Sequence, residues 1–163
     1  MSNWCSNSVV FSAAEDKLEN IRNLFAEIQQ QQISSDHYHL PDFVESKQYI
    51  RDIVVRDNRI SFESRWSPPT SLLIEIADFY HAGFVNRFHE MTNRLYGESR
   101  YDYISLVTVS LDKDEYEAIR CDKRNTGNNL GGEIFKQEGD LLDYILEQKI
   151  EEQFRIEISN RIR

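Results

Sequence analysis

The stretch RISFESRWSPPT, residues 59–70, decides the fold because it joins the end of a strand to the start of a helix. Ile60, Phe62 and Ser64 alternate with polar or charged residues, and this period of two predicts a strand with one buried side and one solvent-facing side. Serine is a good helix N-cap and proline is tolerated in the first helical turn, so Ser67-Pro68-Pro69-Thr70 predicts a helix start. The pair is typical of an α+β domain.

Three elements are predicted before this stretch. Ser8 to Ser12 is a short apolar run that predicts a strand. A helix follows from about residue 13 to about residue 32, and Ser12 with Glu15 has the form of a capping box. Tyr49 to Arg56 predicts a strand that forms a hairpin with Arg59 to Trp66, with Asp57-Asn58 as the turn.

The elements predicted after this stretch are less regular. The helix that starts at Ser67 is expected to stop at Gly83, and the spacing of Phe84, Phe88, Met91 and Leu95 predicts a third helix up to Gly97. In these helices lie His81 and His89. The remaining predictions are a buried strand over Tyr101 to Leu111, a weaker strand over Tyr116 to Lys123, a turn over residues 125–132, a short strand over Glu133 to Gln137 and a helix from Asp140. The tail from Phe154 to Ile158 fits either a continued helix or a last strand.

The composition indicates one soluble domain. The chain has 163 residues, with 28 acidic and 19 basic side chains and a net charge of −9. A negative balance disfavours a general nucleic-acid binder and docking on an anionic membrane. The N-terminal sequence lacks the pattern of a signal peptide, and no apolar run reaches the roughly 20 residues of a transmembrane helix. We therefore expect a cytoplasmic protein without a membrane partner, whose single domain spans residues 1–163.

Two sequence motifs resemble a known family. Asn3-Trp4-Cys5-Ser6-Asn7 leads into the first strand, and Phe62 to Pro69 is a strand that closes on Trp-Ser-Pro-Pro. With the weaker match GNNLGGEIF at residues 127–135, they are similar to the YubB-type proteins of bacterial plasmids, phages and integrated elements. The motif residues, which we interpret as structural, are Asn3, Trp4, Cys5, Asn7, Trp66, Ser67, Pro68, Pro69, Gly131 and Gly132.

The resemblance implies a ferredoxin-like fold, in which helices pack on one face of an antiparallel sheet. It implies no known reaction and no iron–sulfur cluster or other cofactor, and it places the protein in a bacterial cytoplasm. Residues 83–111 are longer than this simple fold needs and are expected to be an insertion, and residues 140–163 are expected to be a C-terminal extension. An open sheet edge would allow a homodimer.

The candidate site residues have structural alternatives. Trp4 and Trp66 form either an aromatic ligand surface or two caps of the core, and we expect the caps. Neither Cys5 nor Cys121 lies in a CxxC pair, and we expect each to be a small buried residue. His37 and His39 are a weak metal-ligand pair in a predicted loop, where a third ligand is missing. We expect no catalytic residue and no bound metal.

Three functions remain open. We place first a non-enzymatic accessory protein of a mobile element that binds a protein, through acidic faces at residues 1–45 and 133–152. The alternative is a single-stranded nucleic-acid-binding module that uses the sheet face. Its candidate residues are Tyr49, Arg51, Arg56, Arg59 and Arg65, with Phe62, Tyr101, Tyr103 and Tyr116 as further strand aromatics. A metal-dependent enzyme built on His37 and His39 comes third.

Overall fold

A computed structural model describes residues 3–35, 38–117, 129–130, 133–134 and 138–161. Six strands form one antiparallel sheet: β1 (Trp4–Ser12), β2 (Ile50–Arg56), β3 (Arg59–Arg65), β4 (Gly83–Glu90), β5 (Leu95–Tyr101) and β6 (Leu106–Leu111). The ribbon of β7 (Asn129–Leu130) and β8 (Glu133–Ile134) is separate. The long helices are α1 (Glu15–Ser34), α2 (Thr70–Tyr80) and α3 (Glu138–Arg161). Residues 113–117 are also helical.

The order of the strands confirms the expected fold class. The sheet runs β2-β3-β1-β4-β5-β6, and β1 pairs antiparallel with both β3 and β4. The chain order β-α-β-β-α-β with β1 and β3 in the middle is the ferredoxin-like arrangement. The segment expected to be an insertion, residues 83–111, contains the fourth core strand, β4, and two strands that widen the sheet beyond it.

The main core lies between the sheet and the pair α1 and α2. Every second residue of the strands points toward these helices. Phe25 of α1, for example, stacks on Phe62 of β3 with 5.9 Å between the ring centroids. The buried members include Val9, Phe11, Ile21, Ile28, Ile60, Leu72, Ile76 and Phe84. Burial of large apolar side chains is the main stabilising contribution to such a layer.

The C-terminal helix α3 covers the opposite face of the sheet, and only at one end. Its Leu142 and Leu146 are fully buried and pack in clusters with Leu111 and Val109 of β6. The residues of β6 that point to α3 are register partners of Tyr96 and Glu98 on β5, which share that face with Arg87 of β4. The face of the sheet that α1 and α2 do not cover is therefore closed over β5 and β6 by α3.

The hairpin and the first helix are as predicted. Strands β2 and β3 pair across the turn at Asp57, whose φ of 48° is the left-handed conformation expected of an aspartate in a tight turn. Helix α1 begins and ends two residues later than expected. Its Gln29 and Gln32 donate to the backbone oxygens of Ile53 and Ile50 in β2, so side chains of α1 occupy part of that edge.

The helix caps differ from the predictions. Ala14 is the N-cap of α1 and makes no side-chain cap bond, so the capping box of Ser12 and Glu15 is wrong. Pro69, and not Ser67, is the N-cap of α2. Helix α2 ends at Tyr80, and its C-cap residue His81 adopts φ 54°, ψ 49°, as the chain turns at once into β4; the predicted stop at Gly83 is wrong, because Gly83 is already part of that strand.

The third predicted helix is wrong, since residues 84–97 fall in β4, a turn and β5. Phe84, Asn86, Phe88 and Glu90 are all buried at a period of two, and this strand pattern shares Phe84 and Phe88 with a helical spacing of four. Met91, which completed the helical pattern, is 73% exposed.

The next two strand predictions also change. The single strand expected over Tyr101 to Leu111 is interrupted at residues 102–105, where Tyr103 has φ 74°. Tyr116 lies in the helical segment 113–117, so a strand does not begin there, while residues 118–123 lie outside the described part of the chain. The tail from Phe154 continues α3 as a helix.

Candidate interaction surface on the open sheet face

The uncovered part of the sheet is the side of β1 to β3 that points away from α1 and α2, here called the open face. Alternation places Arg59, Ser61, Glu63 and Arg65 of β3 on this face, because Ile60, Phe62 and Ser64 are buried. Trp4 of β1 is the register partner of Arg65 and lies on the same face.

A β-bulge brings both arginines of β2 to the open face. Arg51 and Arg56 are an odd number of residues apart, so an unbroken strand would point them to opposite sides. The register shifts between Arg51 and Val54, and Asp52 has φ 52°. Arg51 then pairs with Glu63 and Arg56 with Arg59, both on the open face. An extra residue that re-aims side chains is a common effect of a bulge.

The aromatic part of the open face centres on Trp4. The Arg51 guanidinium lies 3.4 Å from the centroid of the Trp4 ring, and the Tyr49 ring centroid lies 5.9 Å from the Trp4 ring centroid. Tyr49 is 43% exposed. With Arg65 these side chains line a shallow cavity of about 250 Å³. The cavity combines π faces with guanidinium groups, which attract one another and also planar or anionic ligands.

The cations of the open face have few acidic partners. Arg51 pairs with Glu63 at 2.6 Å and with Asp52 at 3.2 Å. Arg59 donates to the Ser8 hydroxyl at 2.9 Å. Within the described part of the chain, neither Arg59 nor Arg56 has an ion-pair partner. We call the set Trp4, Tyr49, Arg51, Arg56, Arg59 and Arg65 the hairpin surface.

A second cavity adjoins the hairpin surface at Tyr49. It has a volume of about 430 Å³ and lies under the segment 38–49, with Tyr38, Leu40, Val44 and Lys47 in its wall. The ring centroids of Tyr38 and Tyr49 are 5.8 Å apart, and Ile50 N donates to the Tyr38 hydroxyl at 2.8 Å. Burial raises the pKa of Tyr38, so its hydroxyl stays protonated near neutral pH. Tyr49 therefore forms a wall shared by two concave sites.

The α3 side of the same sheet face has the opposite charge. Arg87 contacts three carboxylates: Glu98 at 2.8 Å, Glu147 at 3.0 Å and Asp143 at 3.1 Å. Burial opposes the charged form of Arg87, but its hydrogen bonds to Glu98 and Glu147 stabilise the charged form more strongly, and the pKa of Arg87 is raised. Arg100 of β5 also contacts Glu98, at 2.5 Å, so two guanidinium groups face three carboxylates and the region keeps one negative charge in excess.

The segment Asn3–Asn7 meets β3, β4 and the turn after β3 in a buried polar network. Asn7 donates at 2.8 Å to the Cys5 oxygen and to the Ser64 hydroxyl, and accepts from Asn86 at 3.1 Å. Trp66 N donates to the Asn3 oxygen at 2.9 Å. These bonds connect β1 to β3 and β4. Asn7 stabilises the fold through its side chain, and Asn3 does so through its backbone oxygen.

Trp66 has a strained backbone and an exposed ring. Its φ is 72°, and Ser67 N donates to the Arg65 oxygen at 3.0 Å across it, which makes a three-residue turn. The Ser64 hydroxyl donates to the Ser67 oxygen at 2.7 Å and holds the turn in place. Trp66 is 50% exposed, so its ring lies at the surface and does not cap the core. Pro68 and Pro69 then lead into α2.

The surroundings of Cys5 suppress the nucleophilic reactivity of its thiol. Its side chain is fully buried, and this burial raises the pKa of the thiol to about 12. The thiol is therefore protonated near neutral pH. Cys121 lies outside the described residues.

Several aromatic residues expected on the open face are elsewhere. Phe62 and Tyr101 point toward α1 and α2 and pack in or against the main core. Tyr116 is buried against α3, and Tyr103 lies beside His81 in the turn after β5, with its hydroxyl 2.8 Å from His81 Nδ1. Of the strand aromatics proposed from sequence, Tyr49 is the one that joins the hairpin arginines.

The structure shows no metal-binding cluster around the predicted ligand His39 within the described part of the chain. His39 is exposed and His37 lies outside the described part, as do Gly131 and Gly132. His89, expected on a helix, lies on β4 with its Nε2 2.9 Å from the Tyr116 hydroxyl. Where the chain is described, no group of three or more His, Cys, Asp or Glu side chains is placed to hold a metal ion.

Two features of the site had no clear signal in the sequence. The Arg87 cluster joins residues from β4, β5 and α3, and residue spacing does not encode such a meeting. The bulge at Asp52 lacks a glycine, so its left-handed backbone was not expected either.

Comparison with known proteins gives a family. No helix in the described residues is long and apolar enough to cross a bilayer. No curated protein and no solved structure matches the chain. A family match covers residues 47–162, from just before β2 to the end of α3. Because that is well over half of the chain, this protein belongs to the family described as the ferredoxin-like domain in Api92-like protein.

Proposed function

We propose that this protein is a non-enzymatic binding module whose partner binds at the hairpin surface. The observation that carries the proposal is the concentration of four arginines around Trp4 and Tyr49 on an open sheet face. Four arginines on one surface are unusual in a chain of net charge −9, and their concentration indicates a binding role. Arginine and aromatic side chains are the residues most enriched at binding surfaces.

The partner is expected to be anionic at its contact site. Arg56 and Arg59 project from one end of the hairpin, and Arg51 and Arg65 flank Trp4 at the other. Desolvating these cations without an acidic partner would be costly. An anionic protein segment and a nucleic acid both meet this requirement.

An acidic face as the binding surface has less support. In the segment 133–152, Asp143 and Glu147 contact Arg87, and Glu151 lies 3.8 Å from Arg155. Carboxylates that already have cationic partners project a weaker field toward a basic protein. We therefore move the proposed protein-binding surface from the acidic faces to the hairpin surface.

The setting is proposed from the motifs. Trp-Ser-Pro-Pro after β3 and Asn-Trp-Cys-Ser-Asn on β1 resemble the YubB-type proteins, which supports an accessory role in a bacterial mobile element. A homodimer stays a prediction. The metal-dependent enzyme is not proposed, because no observation among the described residues favours it.

The proposal is tested by affinity capture from host lysate with matched double variants. Arg59→Gln/Arg65→Gln removes two charges from the hairpin surface, and Lys17→Gln/Arg22→Gln removes two from α1 on the other side of the sheet. We expect the first variant to lose a stoichiometric captured component that the wild type and the second variant retain. Equal capture by both variants would contradict the proposal.

A further inference from the structure

Resting on the proposed function, we infer that the partner is a single-stranded nucleic acid that lies along the β2–β3 hairpin and stacks a base beside Trp4 and Tyr49. The inference depends on the order of chemical groups along the hairpin, on the aromatic cavity at its end and on the charge of its surroundings.

Cations lie at both ends of the hairpin on the same face. Arg65 and Arg59 are six residues apart on β3, which is roughly 20 Å at the rise of a strand. Arg51 and Arg56 of β2 lie beside these two ends, because Arg51 pairs with Glu63 and Arg56 with Arg59. Between the ends lie the hydroxyls of Ser61 and Ser8, which are register partners, and the Glu63 carboxylate, which is paired with Arg51. This row of donors fits a phosphate backbone that runs parallel to the strands.

The aromatic end of the row selects unpaired bases. Trp4, Tyr49, Arg51 and Arg65 line one cavity, so a planar ring placed there meets indole, phenol and guanidinium faces together. Base stacking on aromatic side chains with arginine is the recurring way in which proteins hold single strands. Paired bases in a duplex keep their faces stacked on one another and cannot enter such a site.

The charge around the hairpin confines a polyanion to it. Beyond β1, the sheet face reaches the Arg87 region, where the three carboxylates of Glu98, Asp143 and Glu147 outnumber the guanidinium groups of Arg87 and Arg100 by one. The chain as a whole carries −9. Repulsion on that side would keep the strand on the hairpin and suppress binding to the broad surface of a duplex.

The first experiment measures fluorescence anisotropy of labelled oligo-dT and oligo-U of about 12 nucleotides, with a duplex of equal length for comparison. If the four arginines each neutralise a phosphate, affinity for a single strand should fall about 50-fold between about 50 and 200 mM salt. Arg59→Gln should reduce the slope of log affinity against log salt by about 0.7. Lys17→Gln should leave that slope unchanged, because Lys17 lies on α1.

The second experiment reads stacking from tryptophan emission, because the chain has two tryptophans. Trp66→Phe leaves Trp4 as the reporter, and we expect its emission to be quenched when oligo-dT binds. Trp4→Phe leaves Trp66, which does not line the Trp4–Tyr49 cavity but lies 6.0 Å from the Arg65 guanidinium, and its emission should be quenched less than that of Trp4. Quenching confined to the protein that keeps Trp66 alone would overturn the stacking site.

The outcomes separate this inference from the proposed function. No single-strand binding at about 50 mM salt, or equal affinity for the duplex, overturns the inference. If the lysate capture then survives nuclease and is still lost in Arg59→Gln/Arg65→Gln, the binding module stands with an anionic protein as its partner. If that capture also fails to depend on the hairpin arginines, both proposals are wrong.

Discussion

The two faces of this sheet differ in how much of each is covered by helices. One face is covered by α1 and α2 over a continuous apolar core that includes Phe25, Ile76 and Phe84. The other face is covered by α3 only over β5 and β6, where Leu142 and Leu146 pack, and the hairpin half is left bare with its arginines and Trp4. The same strands supply both faces by alternation.

The contrast separates stability from interaction within the sheet. Core-facing positions hold apolar side chains, apart from the buried polar network of Asn7, Ser64 and Asn86, so substitution there removes contacts that stabilise the fold. At the turn end of the hairpin, Arg56 and Arg59 have no ion-pair partner among the described residues, so substitution there should spare the fold. The α3 end lies between these cases, because it combines an apolar contact with the Arg87 cluster.

The largest effect is expected in the main core. Phe25→Ala removes a fully buried ring that stacks on Phe62 and lies 6.3 Å, between ring centroids, from Phe11. We expect a loss of about 3–5 kcal/mol in the free energy of unfolding, measured by urea denaturation followed by circular dichroism. A loss below about 1 kcal/mol would contradict the assignment of this face as the main core.

The next effect tests the helix-covered end of the other face. Leu146→Ala truncates a fully buried side chain between α3 and Val109 of β6. We expect a loss of about 2–5 kcal/mol, with amide hydrogen exchange increasing first in α3 and β6. Exchange that increases equally in β1 and β3 would show that the two ends of the sheet do not open separately.

Substitution of Gly97 in β5 should lower the stability by a smaller amount. A Cβ at Gly97 of β5 would lie 2.6 Å from the Val109 oxygen and 2.7 Å from the Phe88 ring. Gly97→Ala should therefore cost about 1–3 kcal/mol through overpacking, as measured by thermal unfolding. Gly139→Ala is the control, because nothing lies within 4 Å of a Cβ at that position. An unchanged melting temperature in Gly97→Ala would contradict the close approach of β5 and β6 there.

The smallest effect is expected on the bare hairpin. Arg59→Gln removes an exposed charge whose side chain makes one hydrogen bond within the described part of the chain, to the Ser8 hydroxyl. Its unfolding free energy should stay within about 0.5 kcal/mol of the wild-type value in urea denaturation. A loss comparable to that of Leu146→Ala would mean that the hairpin arginines stabilise the fold and would remove the contrast between the two regions.

Elements whose pattern is local and unambiguous could be predicted from the residue order alone. The alternation of Ile60, Phe62 and Ser64, the turn at Asp57 and the helical spacing in α1 were each sufficient, because one periodicity fitted and the other did not. The resemblance carried by the two motifs implied the ferredoxin-like fold. The same alternation also placed Arg59 and Arg65 together on the solvent-facing side.

Long-range contacts were needed to fix the elements whose sequence fits both a helix and a strand, and the sites where residues far apart in the chain meet. Phe84 and Phe88 suit a strand and a helix equally, and pairing of β4 with β1 and β5 selected the strand. The bulge at Asp52 turned Arg51 toward Trp4, and α3 covered one end of the sheet face while leaving the hairpin open. Such choices depend on contacts between residues far apart in the chain, and local propensity is too weak to fix them.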